Sequence, residues 1–574
     1  MITRFRELNL ALLPFVALVI CSSNTPPGSL QNNDWVYDNI EFDMPRVIEP
    51  SFPDNEVNIA DLGAIADGQT LNTDYFTKAI EMMAAKGGGK VIVPSGIWMT
   101  GPIVLKSNIN LHLEDGALIR FSPDFELYPL VESNFEGKNT YRCQSPLSGN
   151  GLENIAITGK GVIDGSGEAW RPVKKSKLTE GQWRKLLISG GVLEDEGTFW
   201  FPSEKAAAGY RVSRGNLPPL QNQDDFMKIK DFLRPVMVSL VNCKVVLLDG
   251  VTFQNSPAWN IHPLLCEDLT LRNLTVRNPW YSQNGDGLDL ESCKNAVIYN
   301  SNFDVGDDAI CLKSGKDKQG RDRGRATENV IIKNNIVYHA HGGFVVGSEM
   351  SGGVRNVHVS DCTFMGTNVG IRLKSARGRG GVVENIYISN INMTDITAEP
   401  IRFNMFYGGQ APMLEDGNSS IESQNKDKIT FLVTEETPVF RNIHIKNIVA
   451  NGFGKVAVYM GLPELKIENV SLENAVLTGY EGFVISDASG IKLKNVKIFQ
   501  KNGPALTIFN SKDIEVENLY FNEQRDASAV VISGKESSNI LLNSADFKLG
   551  DKHIQLLNGA ESPQLSGSKL IYQK

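Results

Sequence analysis

Residues 245–249 read VVLLD, 269–273 LTLRN, 296–300 AVIYN and 330–334 VIIKN. In each phrase apolar residues alternate or cluster, and an Asn or Asp closes it. The phrase returns at Asp361 (VHVSD), Asn390 (IYISN), Asn447 (IHIKN), Asn469 (LKIEN), Asn495 (IKLKN) and Asn518 (IEVEN), with most steps between 22 and 34 residues. Period-two alternation rich in Val, Ile and Leu marks strands, and the closing Asn or Asp suits a tight bend with a left-handed backbone. Repetition at this period settles the architecture before any single element does. Helical periodicity is nearly absent from the span. The leucine-dense consensus of a horseshoe is missing, and so are the four strands per repeat of a propeller. The expected fold is all-β: a right-handed, single-stranded parallel β-helix with one coil per repeat and inward side chains stacked in ladders.

Outward from the repeat, Thr73 or Asn72 is placed to cap a helix carrying Phe76, Ile80 and Met83 on one face and ending at the glycines from Gly87. Such a helix would cover the open end of the solenoid. Two stretches interrupt the repeat: 166–234, which holds Trp170, Trp183, Phe199, Trp200, Phe201 and Tyr210 among many charges, and the polar 405–437. Long insertions on a rigid scaffold are where specificity often resides. At the N-terminus Arg4 and Arg6 precede apolar residues 8–20, and Cys21, Ser22 and Ser23 lead into polar sequence. This reads as a secretory signal over 1–23, followed by an extension over 24–54 and a catalytic β-helix over 55–574. The apolar run is shorter than the ~18 residues of a spanning helix. Export to the periplasm or the medium is therefore expected, without a spanning segment. Cys21 offers a lipid anchor as an alternative, although Ile20 is bulky where such cleavage sites take a small residue.

With 41% hydrophobic and 21% charged residues the 574-residue chain can bury a large core. A formal charge of −9 gives no reason to expect a nucleic-acid partner, and a monomer is expected. Cys143, Cys243, Cys266, Cys293, Cys311 and Cys362 are spread without CxxC pairs or metal-ligand spacing, so buried thiols and no metal site are expected.

The chemistry is carried by four phrases: NGDGLDLESC (284–293), VGDDAICLKSG (305–315), HAHGGFVVGSE (339–349) and IRLKSARGRGG (371–381). Asp286 lies 13 residues after Asn273, Asp307 and Asp308 lie 7 and 8 after Asn300, His341 lies 7 after Asn334, and Arg372 and Lys374 lie 11 and 13 after Asp361. Consecutive coils thus offer polar groups at a similar phase, about 4.8 Å apart if the coils are adjacent strands. Acidic residues among Val, Ile, Leu and Gly are costly unless solvated in a cleft or paired. Clustered carboxylates also push one another's proton affinities apart, which suits an acid and a base working at one pH. Each Asp read alone is equally a bend residue beside glycine; it is the common phase that argues for a site. Inverting glycoside hydrolysis needs one protonated carboxyl at the leaving oxygen and a second carboxylate on the attacking water, with a spacing of roughly 6.5–9.5 Å. Lys313, Lys316, Lys318, Arg321, Arg323 and Arg325 follow the paired aspartates, and Arg377 and Arg379 follow Lys374. They form a basic rim able to steer an acidic polymer.

In order and near spacing, these four phrases resemble the motif set of the polygalacturonase family of glycoside hydrolases; the aromatic-rich insertion at 166–234, placed to wall off one end of the groove, favours an exo-acting galacturonidase of that family. The likeness extends to KVIVPSGIWMTGPIVLKSNINLHLEDGA (90–117) and covers most of the chain. The resemblance implies Asp307 as general acid, Asp286 and Asp308 holding and activating water, and His341 tuning the acid. It also implies Arg372 and Lys374 on a substrate carboxylate, Asn284 on the water side, and Lys313, Tyr407 and His262 as further substrate contacts. The substrate it implies is an acidic pectic polysaccharide, with no cofactor. Gly285 stands where that family usually has threonine, and Ala340 where it usually has glycine. A calcium-dependent pectate lyase, a rhamnogalacturonan hydrolase and a non-catalytic polysaccharide binder are the alternatives. In elimination, His341 and the separate Asp286 would have no clear task.

Overall fold

The computed structural model describes residues 33–213, 215–407, 430–522, 528–543 and 553–566. The signal segment, Cys21 and most of the 405–437 stretch lie outside these residues. The chain winds as a right-handed parallel β-helix in which each coil hydrogen-bonds to the next across three faces. The first face, which we call the groove sheet, stacks Leu147–Asn150, Val238–Val241, Ile261–Leu264, Leu288–Glu291, Ile310–Lys313, Gly342–Val346, Val369–Lys374 and Ile401–Asn404 in parallel. The repeat phrase forms the second face: Lys244–Asp249, Glu267–Arg272, Lys294–Tyr299, Thr327–Lys333 and Val354–Ser360. Short strands such as Thr275–Arg277 and Asn302–Asp304 make the third.

Alternation builds the core. Leu288 and Leu290 point inward and are fully buried, as are Leu269, Leu271, Ile298, Ile332 and Val359 in neighbouring coils. Each such side chain contributes about 1.5–3 kcal/mol by leaving water. The bends are left-handed as expected: φ is 56° at Asn273, 54° at Asn300, 55° at Asn334 and 57° at Asp361. At Asp249 the task passes to the next residue, Gly250 (φ 83°). Asn469 corrects the reading of the ladder. It bonds Asn442, one bend earlier in the coil, whereas Asn474 is the residue that stacks on Asn447. Two left-handed asparagines five residues apart bracket the second-face strand, so the phrase LKIEN matches the wrong bend by that interval.

The helix Thr73–Ala85 buries Phe76, Ala79, Ile80 and Met83 against the first coils, and Gly87 follows it at φ 87°. Asn72 occupies the N-cap position but makes no capping bond. Its amide instead joins Ile65, Thr70 and Met99, stapling the entry of the chain to the first coil. Ahead of the helix, residues near Asp34–Tyr37 pack Val36 on Val297, Tyr299 and Ile331 outside the second face. The six cysteines from Cys143 to Cys362 are buried and free.

The 166–234 insertion folds as helices Glu180–Ile188, Glu204–Ser213 and Gln223–Met227 around a three-stranded antiparallel sheet. Most of its aromatic residues are buried in clusters shared with the scaffold: Trp170 packs on Phe125 and Tyr128, and Trp183 and Trp200 share a cluster with Tyr281. Arg171 and Arg234, both buried, tie it to the scaffold by donating to the carbonyls of Ser256, Pro257 and Gln283.

Candidate active site

Leu288 pairs with Ile310 and Asp289 with Cys311. Two residues upstream, Asp286 stands beside Asp308: Gly287 N–H donates to the Asp308 carbonyl and Asn260 N–H to the Asp286 carbonyl, each at 2.9 Å. The unequal counts from their bends, 13 and 8, are absorbed by the loop before Asp286, where Ser282 Oγ bonds the Pro279 carbonyl at 2.7 Å and Asn278 bonds the Gly285 carbonyl at 3.1 Å. In the next coil His341 N–H donates to the Asp307 carbonyl at 2.9 Å, and one coil further Arg372 stands opposite Val345. The four phrases thus meet on one wall.

One oxygen each of Asp286, Asp307 and Asp308 fall within 4.8 Å of one another. This is closer than the spacing of roughly 6.5–9.5 Å set for water-mediated inversion. For Asp286 and Asp308 the cause is the register, because side chains level on adjacent coils inherit the strand separation of about 4.8 Å, and Asp307 adjoins Asp308 in the chain. His341 Nδ1 lies 3.0 Å from Asp307 Oδ1. Lys374 Nζ donates to Asp308 Oδ2 at 2.6 Å, and Arg372 Nη1 is 3.7 Å from Asp308 Oδ1. The two cations lie over the half-exposed Tyr407 ring, 5.7 and 5.0 Å from its centroid. Asn284, left-handed at φ 53°, receives Arg234 Nη2 at 2.9 Å. Three carboxylate oxygens so close could in principle receive a cation, but Lys374 and His341 already hold Asp308 and Asp307.

Asp286 Oδ1 and Asp308 Oδ1 are buried without a hydrogen-bond partner. Burial pushes the Asp286 carboxyl well above its usual range, and Asp289 and Asp307 push the same way. Burial would raise Asp307 too, but the hydrogen bond from His341 and the charges of Lys374 and Lys313 outweigh it and hold that carboxyl well below the usual range. Without substrate, the cluster therefore keeps a proton on the Asp286 side and an anion at Asp307. A proton among carboxylates this close belongs to the set rather than to one member.

Below the cluster lies a charged layer that the sequence reading passed over. Asp289, Glu291 and Glu349 are buried. Lys313 sits between Asp289 Oδ1 (3.4 Å) and Glu349 Oε2 (3.1 Å) and over the Trp259 ring. Its side chain is only 4% exposed, so it underlies the groove instead of reaching into it as expected. His262 is likewise buried, with Nε2 3.0 Å from Glu291 Oε2, at the wall of a neighbouring cleft. Burial pushes Asp289 up to about 8 despite Lys313, and neither of its oxygens has a hydrogen bond. One signal pointed to Asp289 and Glu291: with Leu288 and Leu290 inward, both must face the groove.

The basic rim is largely neutralised. Lys318 pairs with Asp322, Lys316 with Glu136, Arg321 with Glu436, Arg323 with Glu291, Arg377 with Glu464 and Arg379 with Asp317. The helix Asp317–Arg323 accounts for part of this: it carries Arg321 to Glu436 and Arg323 to Glu291 of the groove sheet, and pairs Lys318 with Asp322 along its own face. Its chief neighbour is the hairpin Leu130–Phe135 and Lys138–Cys143, which leaves the opposite edge of the groove sheet. Phe135 stacks on Trp259 with centroids 4.7 Å apart, Lys138 bonds Asp317 at 2.9 Å, and Asn139 N–H donates to Gln319 at 2.9 Å. The hairpin therefore arches over the groove. On its far side is a cleft of about 1500 Å³ lined by Ser148, Ser239 and His262 but by none of the three aspartates.

Residues 228–436 match the model for glycosyl hydrolases family 28. An exopolygalacturonase of Thermotoga maritima is 33% identical in sequence and superposes with a TM-score of 0.64, over 79% of this chain and 93% of that one. The chain belongs to glycosyl hydrolases family 28. A family 28 exopolygalacturonase of Yersinia enterocolitica shares the fold at 21% identity and a TM-score of 0.63, over 80% of this chain and 78% of that one. A probable polygalacturonase of Vitis vinifera is 26% identical over 76% of this chain and 78% of its own length. The exo-poly-alpha-D-galacturonosidase of Dickeya chrysanthemi is also 26% identical, over 64% of this chain and 58% of its own length. The family 28 match takes in all four phrases and leaves most of the 166–234 insertion outside. The departure at Gly285 has a local cause, because a β-carbon there would meet Ser282 Oγ at 1.9 Å. Ser282 fills the place of a side chain. Ala340 is 7% exposed and packs in the core.

Proposed function

We propose that this family 28 hydrolase cleaves α-galacturonosyl linkages of a pectic polysaccharide from a chain end, with inversion. The observation that carries the reading is the cluster itself: three carboxylates polarised into proton holder and anion, with Arg372, Lys374 and Tyr407 on the adjoining coil. Asp307, charged with the proton of the set once substrate displaces water, protonates the leaving oxygen as the glycosidic bond breaks. Asp286 and Asp308 hold the attacking water and take its proton as its oxygen joins the anomeric carbon. Arg372 supplies the planar fork, and Lys374 the point charge, for a galacturonate carboxylate. Chain-end action is supported by the hairpin across the groove and by the relatives named for exo cleavage. The N-terminal segment supports export.

Product sizing on homogalacturonan tests the reading. Release of short products from the outset, with slow loss of viscosity, is expected; a ladder of intermediate lengths refutes chain-end action. Activity confined to rhamnogalacturonan fragments refutes the substrate. An ultraviolet-absorbing, chelator-sensitive product refutes hydrolysis. Proton NMR of the first anomer formed tests inversion, for which the short carboxyl spacing makes retention the competing outcome.

A further inference from the structure

His341 is gripped from two sides. The preceding coil brings Asp307 Oδ1 to 3.0 Å of Nδ1, and the insertion brings Lys177 Nζ to 3.1 Å of Nε2. Lys177 ends the short turn Lys175–Lys177. Lys175 N–H donates to the Thr198 carbonyl and Leu178 N–H to the Lys175 carbonyl, and the following helix opens with a capping box of Thr179 and Gln182. Leu178 packs with Val173, Trp183, Trp200 and Tyr281, the last on the loop that leads to Asp286. A flexible side chain is thus delivered from a fixed base. Lys177 lies outside residues 228–436, so the family match assigns it nothing.

An ammonium has donors and no acceptor. Lys177 on Nε2 therefore requires a lone pair there and leaves the ring proton on Nδ1, aimed at Asp307. We propose that Lys177 is a positioning residue that locks His341 as the neutral Nδ1–H tautomer and keeps a second proton off the ring. The physical reason is charge. An imidazolium beside Asp307 would clamp it as an anion, whereas a neutral donor leaves it able to carry the proton for the leaving oxygen. The other charged groups around the ring do not replace this lock. Asp308 and Arg372 border Gly342. Lys374 points to Asp308, Lys313 lies in the layer below, and Asp286 is held up by burial. The consequence for catalysis rests on the hydrolytic role given to Asp307, but the tautomer does not.

The test uses the full-length protein with ¹⁵N-labelled histidine, the His341 signals being those lost in His341→Gln. Wild type should show protonated Nδ1 and bare Nε2 throughout the pH 5–8 window in which imidazoles ordinarily titrate. Lys177→Met should let the ring charge within that window and should lower kcat roughly tenfold, more steeply toward acid, with KM little changed. Lys177→Arg should restore both readouts, and Lys185→Met, on the exposed face of the same insertion, should match wild type. A proton on Nε2 in wild type, or parallel pH profiles for wild type and Lys177→Met, would overturn the proposal. The expected tautomer in a protein that leaves galacturonan intact would confirm the lock and refute the functional reading instead.

Discussion

Two stacks of polar side chains run along this solenoid, and they differ in what they leave undone. On the outside of the bends, Asn390 donates to Asp361 and accepts from Asn447, which accepts in turn from Asn474. Asn495 and Asn518 continue the row. This ladder, amide on amide after Asp361, is satisfied coil by coil. In the groove, Asp286 and Asp308 stand level on adjacent coils with Asp289 on the coil of Asp286, yet each has at least one buried oxygen without a hydrogen-bond partner. A buried polar group left unpaired is expensive. A satisfied stack therefore reads as architecture, and an unsatisfied one as a place prepared for something else to bind.

The largest break in this contrast should come from Asp308→Asn. It should lower kcat on homogalacturonan by about 10²–10⁴-fold without lowering the denaturation midpoint; activity within a few-fold of wild type would deny the cluster its role. Arg372→Ala should act on binding, raising KM on the order of tenfold with a smaller change in kcat, as expected for one charge-assisted bond. Equal losses on esterified and free galacturonan would argue against carboxylate recognition.

Asp289→Asn should change the pH dependence of stability. A carboxyl raised to about 8 takes up a proton on folding, so its contribution falls as pH rises from the unfolded value of about 4 toward 8. Relative to wild type, the Asn variant should gain stability across that interval and run parallel below it. A constant offset in denaturant midpoints would refute the assignment. In the ladder, Asn390→Gly should cost about 1 kcal/mol for lost hydrogen bonds and Asn390→Ala about 1–2 kcal/mol more for the left-handed backbone, both with unchanged kcat. Any fall in kcat comparable to that of Arg372→Ala would erase the distinction between the stacks.

The coil repeat was legible because inward Val, Ile and Leu and a left-handed Asn recur once per turn, and both demands are local. Asp286, Asp307, Asp308 and His341 were legible for the same reason: a repeating coil turns sequence phase into spatial register. The misreadings began where register no longer follows from counting. Asn469 and Asn474 share one phrase type at two bends. Lys313 and His262 point outward as alternation requires, but Glu349 and Glu291 capture them, and burial by remote segments is not written in the strand. The charges at 316–325 read as an open rim, yet Lys316, Arg321 and Arg323 meet Glu136, Glu436 and Glu291 from distant parts of the chain, pairings that no local pattern announces. Lys177 carried no local mark at all, since its role exists only through the docking of the insertion.

The arch of Phe135 and Lys138 over the groove also bears on how the enzyme would meet its substrate in bulk. A passage barred on one side admits molecules by their tips, so the speed of digestion follows the number of tips in solution and not the mass of polymer. Fragmenting the same weight of pectin beforehand would make it a richer meal for this protein, while a mid-chain cutter would see no such benefit.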